Sequence, residues 1–163
     1  MKSLFLTKTR WLVTIILITA LGMGNAWGAA ATATLPVNYS FKDGKNSLPT
    51  GVTQNNLGSD YAAGNAPYRL KFDNNGDYIQ IQVDAAAETI TIGVKEFGSS
   101  GASIQIQGSA DGSSFTNIQT LSFSKGQNKT SRQSTSSSIS SSYRYFRVKR
   151  NSGSNFGLGT LAI

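Results

Sequence analysis

Residues 104–118 read IQIQGSADGSSFTNI, and this stretch decides the fold. Ile104 and Ile106 alternate with Gln105 and Gln107, the period-2 pattern of a strand with one dry and one wet face. SADGSS follows, a run of small turn-forming residues, and apolar side chains return at Phe115 and Ile118. Two strands and a tight turn are implied. The segment YRYFRVKR at 143–150 alternates in the same way. Phe146 and Val148 face one side, Tyr145, Arg147 and Lys149 the other, and this strand is the natural partner of the first two. Together they frame a β-sandwich on which every other segment can be placed.

The 163 residues amount to about one domain. The chain has no cysteine and no histidine, which removes disulfide frameworks, thiol nucleophiles, imidazole bases and the usual zinc ligand sets. Only eight carboxylate side chains occur, against abundant Ser, Thr, Asn, Gln and Gly, a composition suited to exposed sheet faces and turns. The formal charge of +7 overstates the basicity of the folded domain. Setting Lys2, Lys8 and Arg10 aside with the leader leaves twelve basic against eight acidic side chains, a net +4. That is not the dense basic stripe of a nucleic-acid binder.

Met1 to Arg10 is a positively charged start, and WLVTIILITAL at 11–21 is an apolar run of eleven residues, too short for the roughly 20 that span a bilayer. GMGNAWGAA then places Ala26 and Gly28 at the −3 and −1 positions of a cleavage site. Residues 1–28 are therefore expected to be a helical secretory signal peptide cut after Gly28, with Ala30 as the alternative. Residues 29–36 form a flexible lead and 37–163 the domain. The protein is expected to be secreted, to the periplasm, cell surface or medium, meeting a membrane only during export.

Along the domain, Val37, Tyr39 and Phe41 alternate in a first strand. Leu48 to Tyr68 has no sustained period, three glycines and two prolines, and reads as a long surface excursion holding one short strand. Arg69–Asp73 and Tyr78–Val83 read as consecutive strands joined at NNG, an Asn-Gly hairpin turn. Ile90, Ile92 and Val94 mark a central strand. Keeping Phe115, Ile118, Leu121 and Phe123 all in the core requires a β-bulge. Residues 124–142 are serine-rich, with Ile139 as the single large apolar residue, and are read as a polar edge strand followed by a loop. LGTLAI closes the sandwich.

Candidate binding residues lie first on the long excursion. Tyr61 and Tyr68 offer planes that stack on apolar sugar faces, while the amide of Asn65 and the guanidinium of Arg69 hydrogen-bond hydroxyls. The other reading is that both tyrosines cap the sandwich. The basic face of Tyr145, Arg147 and Lys149 is the second candidate. The DNNGD turn spaces Asp73, Asn75 and Asp77 like oxygen ligands of calcium. A calcium-hand loop, however, needs a distal glutamate and a flanking helix, and neither is present. The turn reading is preferred, with calcium at these residues as the alternative; no other metal and no cofactor are expected.

GSADGSSFTNI, YRYFRVKR and the glycine-rich turn into GLGTLAI together resemble the closing half of galactose-binding-like jelly rolls, the fold of discoidin-type domains and many carbohydrate-binding modules. The SxDG turn followed by Phe115, and the R-Y-aromatic-R strand at Arg144 to Arg147, carry the match, which extends over about Leu35 to Ile163. The resemblance implies an all-β, antiparallel sandwich of eight to ten strands, a module of secreted bacterial proteins that binds a ligand, often a glycan, through loops at one end. One departure stands out: Trp11 and Trp27 both precede the cleavage site, so stacking on sugars falls to tyrosine or phenylalanine.

The expected function is a non-catalytic module for carbohydrate or another cell-surface ligand. The alternative is a structural or assembly protein that contacts a secreted protein partner without a sugar. An enzyme would need a carboxylate pair such as Asp73 and Asp77, or Asp43 and Asp60, at glycosidase separation, or a nucleophile elbow that the sequence lacks. No nucleic-acid partner is expected, because the basic strand lacks interleaved exposed aromatics.

Overall fold

The computed structural model describes residues 31–124 and 131–163; the expected signal peptide lies outside the described residues. Ten strands run in chain order: β1 (Asn38–Ser40), β2 (Val52–Asn55), β3 (Leu70–Phe72), β4 (Tyr78–Gln82), β5 (Ile90–Glu96), β6 (Ala102–Ser109), β7 (Thr116–Phe123), β8 (Ser131–Ser136), β9 (Tyr145–Gly153) and β10 (Phe156–Ala162). The only helical segments described are single 3-10 turns at Lys45–Ser47 and Ala63–Asn65. The strands form two five-stranded sheets, paired antiparallel throughout. The first has the order β1-β10-β5-β8, with β3 beside β1 on the same edge of β10. The second has the order β2-β4-β9-β6-β7. The all-β sandwich expected from the sequence is the observed architecture.

Strand alternation builds the core. Ile90, Ile92 and Val94 of β5 and Leu158 of β10 are fully buried and face Ile79, Ile81, Ile104, Ile106, Phe146 and Val148 of the other sheet, all at most 2% exposed. Each such side chain contributes roughly 1.5–3 kcal/mol on burial. Phe72 and Phe156 stack at 4.3 Å between centroids, where β3 meets the start of β10. The inward pattern continues past the apolar stretch to Glu96 on β5, which is fully buried, and to Arg150 on β9. Arg150 is satisfied by the Asn75 Oδ1 at 2.6 Å and by the carbonyls of Gly153 and Ser154.

β6 pairs β7 on one side and β9 on the other, as the quoted stretch predicts, and β8 is an edge strand paired to β5 alone. The expected bulge is at Ile118: Ile106 pairs Gln119 while Gln107 pairs Asn117. It packs Ile118 and Leu121 against the core and buries Phe123. Phe115 does not join them. It lies on the outer face, because the turn before β7 carries it across β6 onto Arg147.

A second correction concerns residues 69–83. β3 and β4 are not a hairpin: β3 pairs β10, and β4 pairs β2 and β9. The DNNGD turn, with Gly76 at φ +91°, carries the chain from one sheet to the other. Alternation tells which side of a strand is dry and not which strand it pairs with. The first and last strands are neighbours, and Val37 and Ile163 exchange two backbone hydrogen bonds of 3.0 and 3.1 Å.

Candidate functional site

The long excursion folds down onto the outer face of the β1-β10-β5-β8 sheet. Glycines make this possible. At Gly157 a side chain would collide with the backbone carbonyl of Tyr68, and at Gly159 with the Tyr68 ring. Tyr61 stacks on Phe97 with centroids 3.8 Å apart, and its hydroxyl is buried with no hydrogen-bond partner among the described residues. Burial, then the nearby Asp73 carboxylate, pushes the phenol well above its usual range. The Arg69 Nε donates to the Tyr61 carbonyl at 3.0 Å and Nη1 to that of Lys42 at 3.3 Å, so its guanidinium staples the loop. Asn65 closes a turn in which its own carbonyl accepts from the Tyr68 N–H. Lys95 lies 6.0 Å from the Tyr68 ring and 5.3 Å from that of Phe97. Tyr61, Asn65, Tyr68 and Arg69 thus belong to one folded loop, with Tyr68 beside a cation and Tyr61 and Arg69 committed to its packing.

The DNNGD turn is held by its own donors. Asp77 is fully buried; its Oδ2 accepts from the N–H groups of Asp73 and Asn74 at 2.9 and 2.8 Å, and Oδ1 from the Asn56 amide at 2.9 Å. Asn75 gives its oxygen to Arg150, and Asp73 pairs with Lys71 at 3.1 Å. Among the described residues no three His, Cys, Asp or Glu side chains gather to hold a metal ion. Oxygens already facing N–H donors and a guanidinium do not fit a calcium ion. A buried, capped Asp77 is also out of reach of any substrate that Asp73 might share with it.

The outer face of the β2-β4-β9-β6-β7 sheet is different. Registers place Thr53, Gln80, Arg147, Gln107 and Asn117 in one row across it, with Asn55, Tyr78, Lys149, Gln105 and Thr120 in the next. The Arg147 guanidinium lies between two rings, 4.1 Å from the centroid of Tyr78 and 3.6 Å from that of Phe115. Its Nε donates to the Gln80 Oε1 at 2.9 Å, which helps to hold the guanidinium between the rings. The turn at 109–114 supports this face. Asp111 accepts from the Ser114 and Ser113 N–H groups at 3.0 and 2.9 Å, and these bonds, Ser114 first, hold its carboxyl well below the usual range. Gly112, at φ +76°, lies under the Tyr145 ring, where a side chain would meet Cε1 at 3.0 Å.

Tyr145, Arg147 and Lys149 share this face, as alternation predicts, together with Tyr78, Phe115 and the amides. The phase of YIQIQ, which sets Tyr78 with Gln80 and Gln82, is the sequence signal for the Tyr78 position. Phe115 departs from the expected core place because an aromatic just after a turn carries no phase of its own. A third surface, an open cleft of about 220 Å³, lies between edge strands β7 and β8. It is lined by hydroxyls, and Ser134 and Ser136 donate to Gln119 across the two sheets.

The architecture, an antiparallel sandwich of two five-stranded sheets, is similar in fold to solved domains. The K3 cleaved adhesin domain of Lys-gingipain from Porphyromonas gingivalis W83 superposes with a TM-score of 0.59 at 12% identity, covering 78% of this chain and 95% of that one. The carbohydrate-binding module CBM36, solved with calcium and xylotriose, superposes with a TM-score of 0.52 at 13% identity, covering 77% of this chain and 97% of its own. At these identities the likeness is one of fold. No protein-family model and no curated protein matches the chain. No helix among the described residues is long and apolar enough to cross a membrane.

Proposed function

We propose that the protein is an exported, non-catalytic carbohydrate-binding module whose ligand lies on the outer face of the β2-β4-β9-β6-β7 sheet. The observation that carries the reading is Arg147, held between Tyr78 and Phe115 within rows of outward amides. Aromatic edges and faces take the apolar side of a pyranose, and amides and a fixed guanidinium take its hydroxyls. A side chain immobilised before binding loses less entropy on binding, which is what a recognition surface needs. Export rests on the charged, apolar and small-residue segments of residues 1–28. The CBM36 neighbour supports a glycan as the ligand class by analogy of fold alone.

The folded loop of Tyr61, Asn65, Tyr68 and Arg69 is the second location, favoured by the Tyr68 ring beside Lys95. A glycan array with the protein and its Tyr78→Ala and Tyr68→Ala variants separates the two. Binding lost with Tyr78 alone supports the sheet face, and binding lost with Tyr68 alone moves the site to the loop. A blank array on folded protein removes the glycan reading and leaves the protein-partner alternative, tested by capture of secreted chains.

A further inference from the structure

None of the five strands of the β2-β4-β9-β6-β7 sheet contains an aspartate or glutamate. Their outward positions nevertheless hold two cations, Arg147 and Lys149, and neither forms an ion pair among the described residues. Of the carboxylates that flank these strands in sequence, Asp77 is buried and capped by three donors, and Asp111 accepts on Oδ1 from the Ser113 and Ser114 N–H groups and the Ser109 hydroxyl. Resting on the reading above, we infer that the ligand of this face is an anionic glycan, its carboxylate or sulfate groups received by Arg147 and Lys149.

The two cations are two residues apart on β9, so about 7 Å separates them along the strand, a spacing that lets them receive acidic groups on neighbouring sugars of one chain. Arg147 commits Nε to Gln80 and makes a long contact of 3.5 Å from Nη2 to the Tyr78 hydroxyl. Nη1 has no hydrogen-bond partner among the described residues and is free to donate. Lys149 sits in the same row as Tyr78 and Gln105, where its ammonium is a mobile point charge beside a fixed plane. The outward amides that complete the surface, Gln82 and Gln105 among them, donate and accept. They suit the remaining hydroxyls without repelling the acid. Cations spread on a solvated face without carboxylate partners attract anions over roughly one Debye length, about 8 Å at physiological salt.

The test is calorimetry of the protein with uronate tetramers of galacto, manno and gluco configuration, each also as its methyl ester, and with a sulfated oligosaccharide of equal length. Binding of an acidic form, weakened about tenfold or more by esterification and by Arg147→Gln and less by Lys149→Gln, supports the inference. Preference for the uronate or the sulfated oligomer then names the source of the charge. Amide shifts of the unmodified protein on titration, confined to β4, β6 and β9, give the same answer should Arg147→Gln disturb folding. An ester that binds as well as its acid, with Tyr78→Ala still weakening it, overturns the anionic inference and leaves the sheet-face reading standing. Binding of no tetramer or oligomer overturns the anionic inference, and binding indifferent to Tyr78, Arg147 and Lys149 overturns both.

Discussion

Gly157 and Gly159 sit two residues apart on the same strand under the same tyrosine, yet alanine at the two positions should behave differently. At Gly159 the added carbon would stand 2.6 Å from Cδ1 and 2.9 Å from Cε1 of the Tyr68 ring, a half-exposed group that can swing outward. At Gly157 it would overlap the Tyr68 backbone carbonyl and lie 2.9 Å from Cε2 of Phe97. That carbonyl is fixed, because two residues on Leu70 enters the pairing with Leu158. Overpacking costs roughly 1–3 kcal/mol, of which Gly→Ala returns about 0.4–1 kcal/mol through the unfolded chain. Gly157→Ala is therefore expected to lose about 2 kcal/mol, and Gly159→Ala about 1 kcal/mol or less. The discriminating step is Tyr68→Ala: removing the ring should abolish the Gly159→Ala penalty and leave that of Gly157→Ala intact. Urea unfolding of the three single and two double variants, at constant denaturant slope, reads the coupling directly. Rescue of Gly157→Ala by Tyr68→Ala, or failure to rescue Gly159→Ala, would refute the assignment of one clash to backbone and the other to ring.

Tyr61→Phe removes a buried hydroxyl without a partner and should leave the protein at least as stable at neutral pH, with a gain of about 1 kcal/mol. Because the folded phenol is shifted upward, its contribution is complete below about pH 10 and is lost as pH rises beyond it; the variant should lack that part of the alkaline loss in thermal melts. Asp77→Ala strips three donors of their acceptor at a buried crossing between sheets and should cost about 3 kcal/mol or more by denaturant unfolding; a loss within 1 kcal/mol would deny the carboxylate that role. Asp111 has the opposite sign to Tyr61. Its folded carboxyl is shifted downward, so its contribution is present above about pH 4 and falls away as the medium is acidified below that point. A carbon-detected titration should show its midpoint well under the ordinary carboxylate value, and an ordinary midpoint would mean that the turn is open in solution.

Much of this was legible in the residues. Ile90, Ile92 and Val94, Ile104 and Ile106, and Phe146 and Val148 each announce a dry face by alternation, and the polar run after Phe123 announces a protected edge. The bulge at Ile118 follows from counting apolar residues that cannot otherwise share a side. Partners were harder to read, because pairing depends on long-range register, and DNNGD reads equally as a hairpin or as a crossing between sheets. The site was harder still. Phe115 stands in phase with nothing, and its place over Arg147 is set by the compact Ser109–Asp111 turn rather than by the strand that follows it. The loop that carries Tyr61 and Tyr68 is positioned by glycines almost ninety residues later in the chain, a dependence that no local pattern reveals.

The exchange of hydrogen bonds between Val37 and Ile163 has a practical bearing on orientation. Both residues lie in the layer opposite Arg147, so a carrier, bead or second module joined after Ile163 is attached at the rim of the other sheet. The Tyr78–Arg147–Phe115 surface then points away from the tether. Immobilised in this way, the domain keeps the breadth of the Arg147 sheet's outer face clear of the attachment point.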